Sequence, residues 1–473
     1  MANYTFSKSI DIATTVNLPN SPENYLLPNL DRAVGDNDVR HRFTLALLAE
    51  TPKEWPWILR DFKGSILTSL QSARHFTINA APPQGDLRQG DGESSLPKNL
   101  CSRALLAHPA PCSEDTAVVK PYTAVGLIPS VRGIRRRKDI KINLDHLHHL
   151  VKAASWLSAL GIPVRLIAIP EAAPQEAFND EVLDLDHVKF ARECAIDIPG
   201  EETEELGKIA REYNAFIIAQ AKARHPDLKD RFFNVGFIIN PKGKVILKHY
   251  KVSPLFPVEH SVCPHDVYDW WIEKYGRNLE AFWPVVDTEI GRMGIMMANE
   301  GSYPENARAL ALNGAEVVYR ASYPHPATGN EIFEIQSRAR ALDNNMYIVA
   351  PNLGTYYLFP EEVTPIDTFG GRSFIINYKG QIVGRQEYGG GSTYVAGVID
   401  IEALRDHRAR AQWDNWLKDL RTELYQLLYE KPIYPKNLHL KREPMKHAEY
   451  RQKIIKRQIR LMHDRGIWKK PER

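Results

Sequence analysis

The sequence predicts an α/β protein with a layered core, and three observations carry that expectation. Short apolar runs of strand length alternate with segments of 3.6-residue period, the pattern of sheets covered by helices. Some neighbouring runs are joined instead by tight turns, Asn240-Pro241-Lys242-Gly243 and Lys379-Gly380, so hairpins are interspersed among the crossover units. The 473 residues are 43% hydrophobic and 25% charged, an ordinary globular composition long enough for a large core with extensions.

Residues 1–82 mix polar loop with short apolar pieces such as HRFTLALLAETPKEWPWILRDF, and PPQGDLRQGDGESSLPKN from Pro82 reads as linker. From about Ala117 the text changes. TAVGLI (Thr123–Ile128) predicts a strand, NLDHLHHLVKAASWLSALG a helix closed by Gly161, and VRLIAIPE (Val164–Glu171) a buried strand. ETEELGKIAREYNA continues as helix, NAFIIAQA as strand, and RFFNVGFIINPKGKVILKHYK as a strand pair. SRARALDNNMYIVAPN predicts a helix running into a strand, and GGRSFIINYKGQIVG a hairpin. These shifts divide the chain into an N-terminal extension (1–116), a core (117–402) and a helical, basic C-terminal extension (403–473).

Sixty-one Lys and Arg against 58 Asp and Glu leave a net charge of +3, too balanced to announce a nucleic-acid or membrane partner. The start MANYTFSKSIDIATT has no apolar signal core, and no run of about 18 apolar residues occurs, so a cytoplasmic location is expected. Four cysteines are too few for a disulfide scaffold. Cys101, His108 and Cys112 lack a second ligand pair, so no metal or other cofactor is expected. The basic segments IRRRKDIK and KREPMKHAEYRQKIIKRQIRLMHDRGIWKK read as solvated faces or subunit contacts rather than as nucleic-acid sites.

Chemistry concentrates at the ends of three strands. Glu171 closes IAIPE, at the carboxyl end of a sheet where ligands of open α/β folds sit. Lys251 follows VILKHY, and Glu259 comes eight residues later in KVSPLFPVE. GRMGIMMANEGSYPENARALALNGAEVV predicts a strand, a polar turn and a helix. Ser302-Tyr303-Pro304-Glu305 matches a capping box with Ser302 as N-cap, and Ala307, Leu310, Ala311 and Gly314 form the packed face. Ala298 stands at the end of that strand, beside the backbone N–H groups of the turn.

These motifs resemble the nitrilase (carbon–nitrogen hydrolase) superfamily over roughly residues 118–402, most closely its amidase and formamidase branch. The resemblance implies an αββα sandwich and a Cys-Glu-Lys mechanism. It puts the catalytic base on Glu171, the lysine on Lys251, and substrate orientation or support of Lys251 on Glu259. The oxyanion donor would be the backbone N–H of Asn299. It puts the nucleophile, a cysteine in the family, on Ala298, seven residues before Glu305.

Three accounts fit an alanine there: a cysteine replaced by Ala298, a natural pseudoenzyme that binds an amide or a partner, or an unrecognised nucleophile. Retention of Glu171, Lys251 and Glu259 favours the first, because buried charges without a task are costly. The implied reaction is hydrolysis of a small carboxamide to acid and ammonia or amine; nitrile or N-carbamoyl amide hydrolysis are the alternatives. The resemblance also implies a homo-oligomer of dimers.

Overall fold

The computed structural model describes residues 118–472, apart from segments at 159–160, 176–185, 256–258, 260, 323–330, 369–370 and 411–412, together with the backbone of five strands before residue 72. Two compact units are present, Met1–Pro109 and Ala110–Arg473. In the first, strands β1 (Ala2–Phe6), β4 (His41–Glu50) and β5 (Lys63–Gln71) pair antiparallel in the order β1-β4-β5, and β2 (Ile10–Asp11) pairs with β3 (Ala33–Val34). The Pro82 linker, Cys101, His108 and Cys112 lie outside the described residues.

In the second unit β6 (Tyr122–Ile128), β8 (Val164–Ala168) and β9 (Phe216–His225) run parallel. β10 (Leu228–Ile239) and β11 (Val245–Tyr250) extend this sheet antiparallel. β20 (Thr393–Ile399) closes its other edge, giving the order β11-β10-β9-β8-β6-β20. The second six-stranded sheet has the order β12-β13-β14-β15-β18-β19, comprising Val285–Val286, Met293–Ile295, Val317–Tyr319, Tyr347–Ala350, Ser373–Ile376 and Ile382–Gln386. A small third sheet joins β17 (Asp367–Thr368), β16 (Thr355–Tyr357) and β7 (Val131–Arg132).

Alternation along the strands builds the layers, because successive side chains point to opposite faces. Leu166 and Ala168 of β8 join Ile295, Met297, Val317 and Tyr319 in a core between the sheets. Ile167 points the other way, into the core with the helices Ile140–Ser158 and Glu201–Tyr213. On the second sheet Met296, Val318 and Ile348 face the helices Pro304–Leu312 and Ile332–Asn344. The result is the αββα sandwich expected. At Gly236 the sheets press close: an added Cβ would lie 2.7 Å from Ile295 and 3.2 Å from the Met297 sulfur.

The expected turn at Asn240–Gly243 closes the β10–β11 hairpin, where Gly243 takes φ +78°, a conformation that suits glycine. The expected capping box does not form. A 3₁₀ turn, Ala298–Ser302, intervenes, so Tyr303 becomes the N-cap and makes no side-chain cap bond. Pro304 does open the helix. Glu305 instead accepts a hydrogen bond from the Tyr429 hydroxyl at 2.7 Å. The C-terminal segment includes the helices Ile401–Arg410 and Lys456–Asp464, with shorter turns between.

Candidate active site

Glu171 stands three residues beyond β8, after Pro170, and its side chain is fully buried. Lys251, the first residue after β11, is buried with it and donates to Glu171 Oε1 at 2.8 Å and to Glu259 Oε1. Asn234 Nδ2, from the centre of β10, donates to the same Glu171 oxygen at 2.8 Å. Asn234 Oδ1 accepts from Gln220 Nε2 of β9, and Gln220 Oε1 accepts from the backbone N–H of Ala172 at 2.6 Å. This chain fixes both amide orientations and leads back to the residue after Glu171. Ala172 itself takes φ +67°.

Glu171 Oε1 therefore accepts two hydrogen bonds, while its buried Oε2 has no partner among the described residues. Burial pushes the Glu171 carboxyl above the usual carboxylate range, the Lys251 ammonium opposes this, and Glu259 adds to it. For Lys251 burial pulls downward, but the attraction and hydrogen bonds of Glu171 and Glu259 outweigh it, so its pKa is raised and it remains an ammonium. The site thus holds a carboxylate with raised proton affinity, one unsatisfied oxygen and a cation locked beside it, the properties of a general base next to an anion-stabilising group.

Position 298 lies on the other sheet. β13 ends at Ile295, and Ala298 opens the 3₁₀ turn with φ +39°, a left-handed conformation uncommon for a residue with a side chain. Its N–H donates to Ala321 O at 2.7 Å. Ala298 and Asn299 are half-buried, whereas Met297 and Glu300 are buried. The turn is tied twice to the residues that follow Lys251. Asn299 Nδ2 donates to Ser253 O at 3.2 Å, and Glu300 accepts from the Val252 N–H at 2.7 Å. Behind the turn, Arg340 donates to Gly301 O at 3.2 Å, and an added Cβ at Gly301 would meet Arg320 Nε at 1.9 Å.

Glu171, Lys251 and Glu259 are therefore in one hydrogen-bonded cluster, and the segment carrying Ala298 and Asn299 is bound to the residues immediately after Lys251. Sequence reasoning missed Gln220, Asn234, His249 and Glu300. For Gln220 and Asn234 the available signal was a polar residue inside an apolar strand, as in FIIAQA and RFFNVGFII. Tyr319 was missed too; its hydroxyl donates to Ile169 O, and burial and then Glu171 hold its pKa well above the tyrosine range. Among the described residues no group of three His, Cys, Asp or Glu is placed to hold a metal ion.

Residues 125–407, well over half the chain, match the model of the carbon-nitrogen hydrolase family. The chain belongs to that family. A formamidase of Helicobacter acinonychis (strain Sheeba) is 28% identical over 225 residues, covering 47% of this chain and 59% of the relative. A formamidase of Bacillus thuringiensis (strain Al Hakam) is 30% identical over 169 residues, 35% of this chain and 46% of the relative. The chain thus spans about half the length of these relatives. Among solved structures, Saccharomyces cerevisiae Nit3, a member of branch 10 of the nitrilase superfamily, superposes with a TM-score of 0.50 at 20% identity over 64% of this chain and 97% of that one, a likeness of fold. Residues 1–125 match the model of an outer membrane beta barrel domain. Among the described residues no helix is long and apolar enough to cross a membrane.

Proposed function

We propose that this carbon–nitrogen hydrolase has a site built for a small carboxamide, and that with alanine at position 298 it binds the amide without turning it over. The observation that carries this is Glu171 Oε2, without a partner among the described residues and buried beside an ammonium in a cluster tied to the strained turn at Ala298. The similarity to formamidases supports the choice of an amide.

With a thiol at 298 the reaction runs in two stages. Glu171 takes the thiol proton as sulfur attacks the carbonyl carbon, and Lys251 with the Asn299 backbone N–H holds the negative oxygen. The C–N bond breaks as Glu171 returns the proton to nitrogen, releasing ammonia or an amine and leaving a thioester. Water then attacks the thioester while Glu171 takes its proton, giving the acid and restoring the thiol. Glu259 holds Lys251 together with Glu171 and orients the substrate nitrogen.

Ala298→Cys tests this. Ammonia released from formamide or acetamide is the expected result; release from nitriles or N-carbamoyl amides alone would redirect the substrate class. Inactivity on a broad amide panel would favour a natural pseudoenzyme.

Homo-oligomerisation belongs to the same proposal. Leu424, Leu427 and Leu428 are exposed on the C-terminal segment that Tyr429 ties to Glu305, and light scattering reads the mass. A cytoplasmic location accompanies it, whereas the barrel-domain match of residues 1–125 points to an envelope; cell fractionation separates the two.

A further inference from the structure

We propose that Glu300 and His249 form a positioning pair that sets the backbone of residue 298 against Lys251, an inference that rests on reading 298 as the nucleophile position. Both side chains are almost wholly buried. The Glu300 carboxylate accepts from the Met297 N–H at 2.6 Å, from the Val252 N–H at 2.7 Å, and from His249 Nε2 at 3.0 Å to each oxygen. An ionised carboxylate only accepts, so Nε2 carries the hydrogen in this contact.

The donors come from two sheets. His249 lies in β11 and Val252 just beyond its end, on either side of Lys251, whereas Met297 follows β13 and precedes Ala298. One carboxylate therefore bridges the sheets where the ammonium and the turn must meet. The Glu300 N–H also closes the turn on Met297 O at 2.8 Å. Among the described residues no hydrogen bond or ion pair joins Glu300 to Glu171, Lys251 or Glu259, so Glu300 acts through the turn rather than on the base. A buried anion is costly unless charge-assisted bonds satisfy it, and here they hold a backbone that opposes the left-handed strain at Ala298.

Three features separate this role from mere packing. Glu300→Gln would turn an NH₂ group toward a backbone N–H and open the clamp at nearly constant volume. His249→Gln keeps a donor and should keep the clamp, while His249→Ala should not. Glu300→Asp shortens the bridge by one methylene.

The test is made in the full chain carrying Ala298→Cys, with the rate at which iodoacetamide alkylates the introduced thiol as readout; Cys194 and Cys263 are buried and serve as internal references. Adding Glu300→Gln should lower that rate by about 100-fold, the scale of a displacement near 1 Å. It should also lower kcat for formamide with little change in KM and retained circular dichroism. His249→Gln should stay near the parent rate. If Glu300→Gln does not fold, Glu300→Asp and the two His249 variants make the same comparison. Equal alkylation rates in folded parent and variant, or His249→Gln falling as far as His249→Ala, would overturn the pair. Rapid alkylation of the Ala298→Cys parent without hydrolysis of any amide would sink the amidase proposal and leave the pair standing. A thiol no more reactive than free cysteine would overturn both.

Discussion

On the first sheet Glu171, Lys251 and Glu259 place three charged side chains out of contact with water, both carboxylates held by the one ammonium, and among the described residues one Glu171 oxygen has no partner. The turn 297–302 on the second sheet is built differently: its one charged side chain, Glu300, is occupied by backbone N–H groups and His249, and its apex carries a methyl group in a strained conformation. The first region stores its organisation in side-chain electrostatics and the second in backbone geometry. Their organisation is separable from the identity of residue 298, since neither region uses the Ala298 side chain as a partner. Loss of a nucleophile can therefore leave the rest of the machinery in place.

The sharpest way to break the first region is Lys251→Met. It leaves two carboxylates buried without their cation, and a stability loss of about 3–5 kcal/mol is expected in chemical denaturation. The loss should shrink on acidification, as protonation removes the unpaired charges. A loss below about 1 kcal/mol would mean that water already reaches the cluster.

In the second region Gly301→Ala drives a methyl group into Arg320, which is itself held by Phe333 O at 3.0 Å and Ser337 Oγ at 2.6 Å. Such overpacking should cost about 1–3 kcal/mol. Ala298→Gly works the other way. It relieves the left-handed strain but frees the unfolded chain, so thermal denaturation should show a gain between zero and about 1 kcal/mol. A clear loss would show that the turn does not need its left-handed residue.

The smallest effects concern protons. Because burial raises the Glu171 carboxyl, the acid limb of kcat/KM in Ala298→Cys should lie above the value of about 4.3 for free glutamate, with activity lost as pH falls through it. The Lys251 pKa is raised by its two carboxylates, so the stability from that pairing is fully present below the usual lysine value of about 10.4. It is lost as pH rises through the higher folded value. An acid limb at or below the free-glutamate value would show that Glu171 is solvated.

Much of this was legible in the sequence because its signals are local. Strands β8, β9 and β18 announce themselves as apolar runs, and Glu171 and Lys251 fall where such runs stop. What stayed hidden depends on distance along the chain. Asn234 meets Glu171 across 63 residues and Glu300 meets His249 across 51, and neither spacing leaves a periodic trace. Ser302 misled for the opposite reason: its local motif is sound, but a 3₁₀ turn tightens the approach to the helix and moves the cap to Tyr303. Residues 1–116 carry a family-model match and five described strands, yet no motif that sequence reasoning could convert into chemistry.

The most direct test of the central claim is ammonia release from formamide and acetamide by the full chain before and after Ala298→Cys. The expected result is no release from the alanine form and steady release from the cysteine form, abolished again by Glu171→Gln. Release by the alanine form, or a folded cysteine form that hydrolyses no amide, would contradict it.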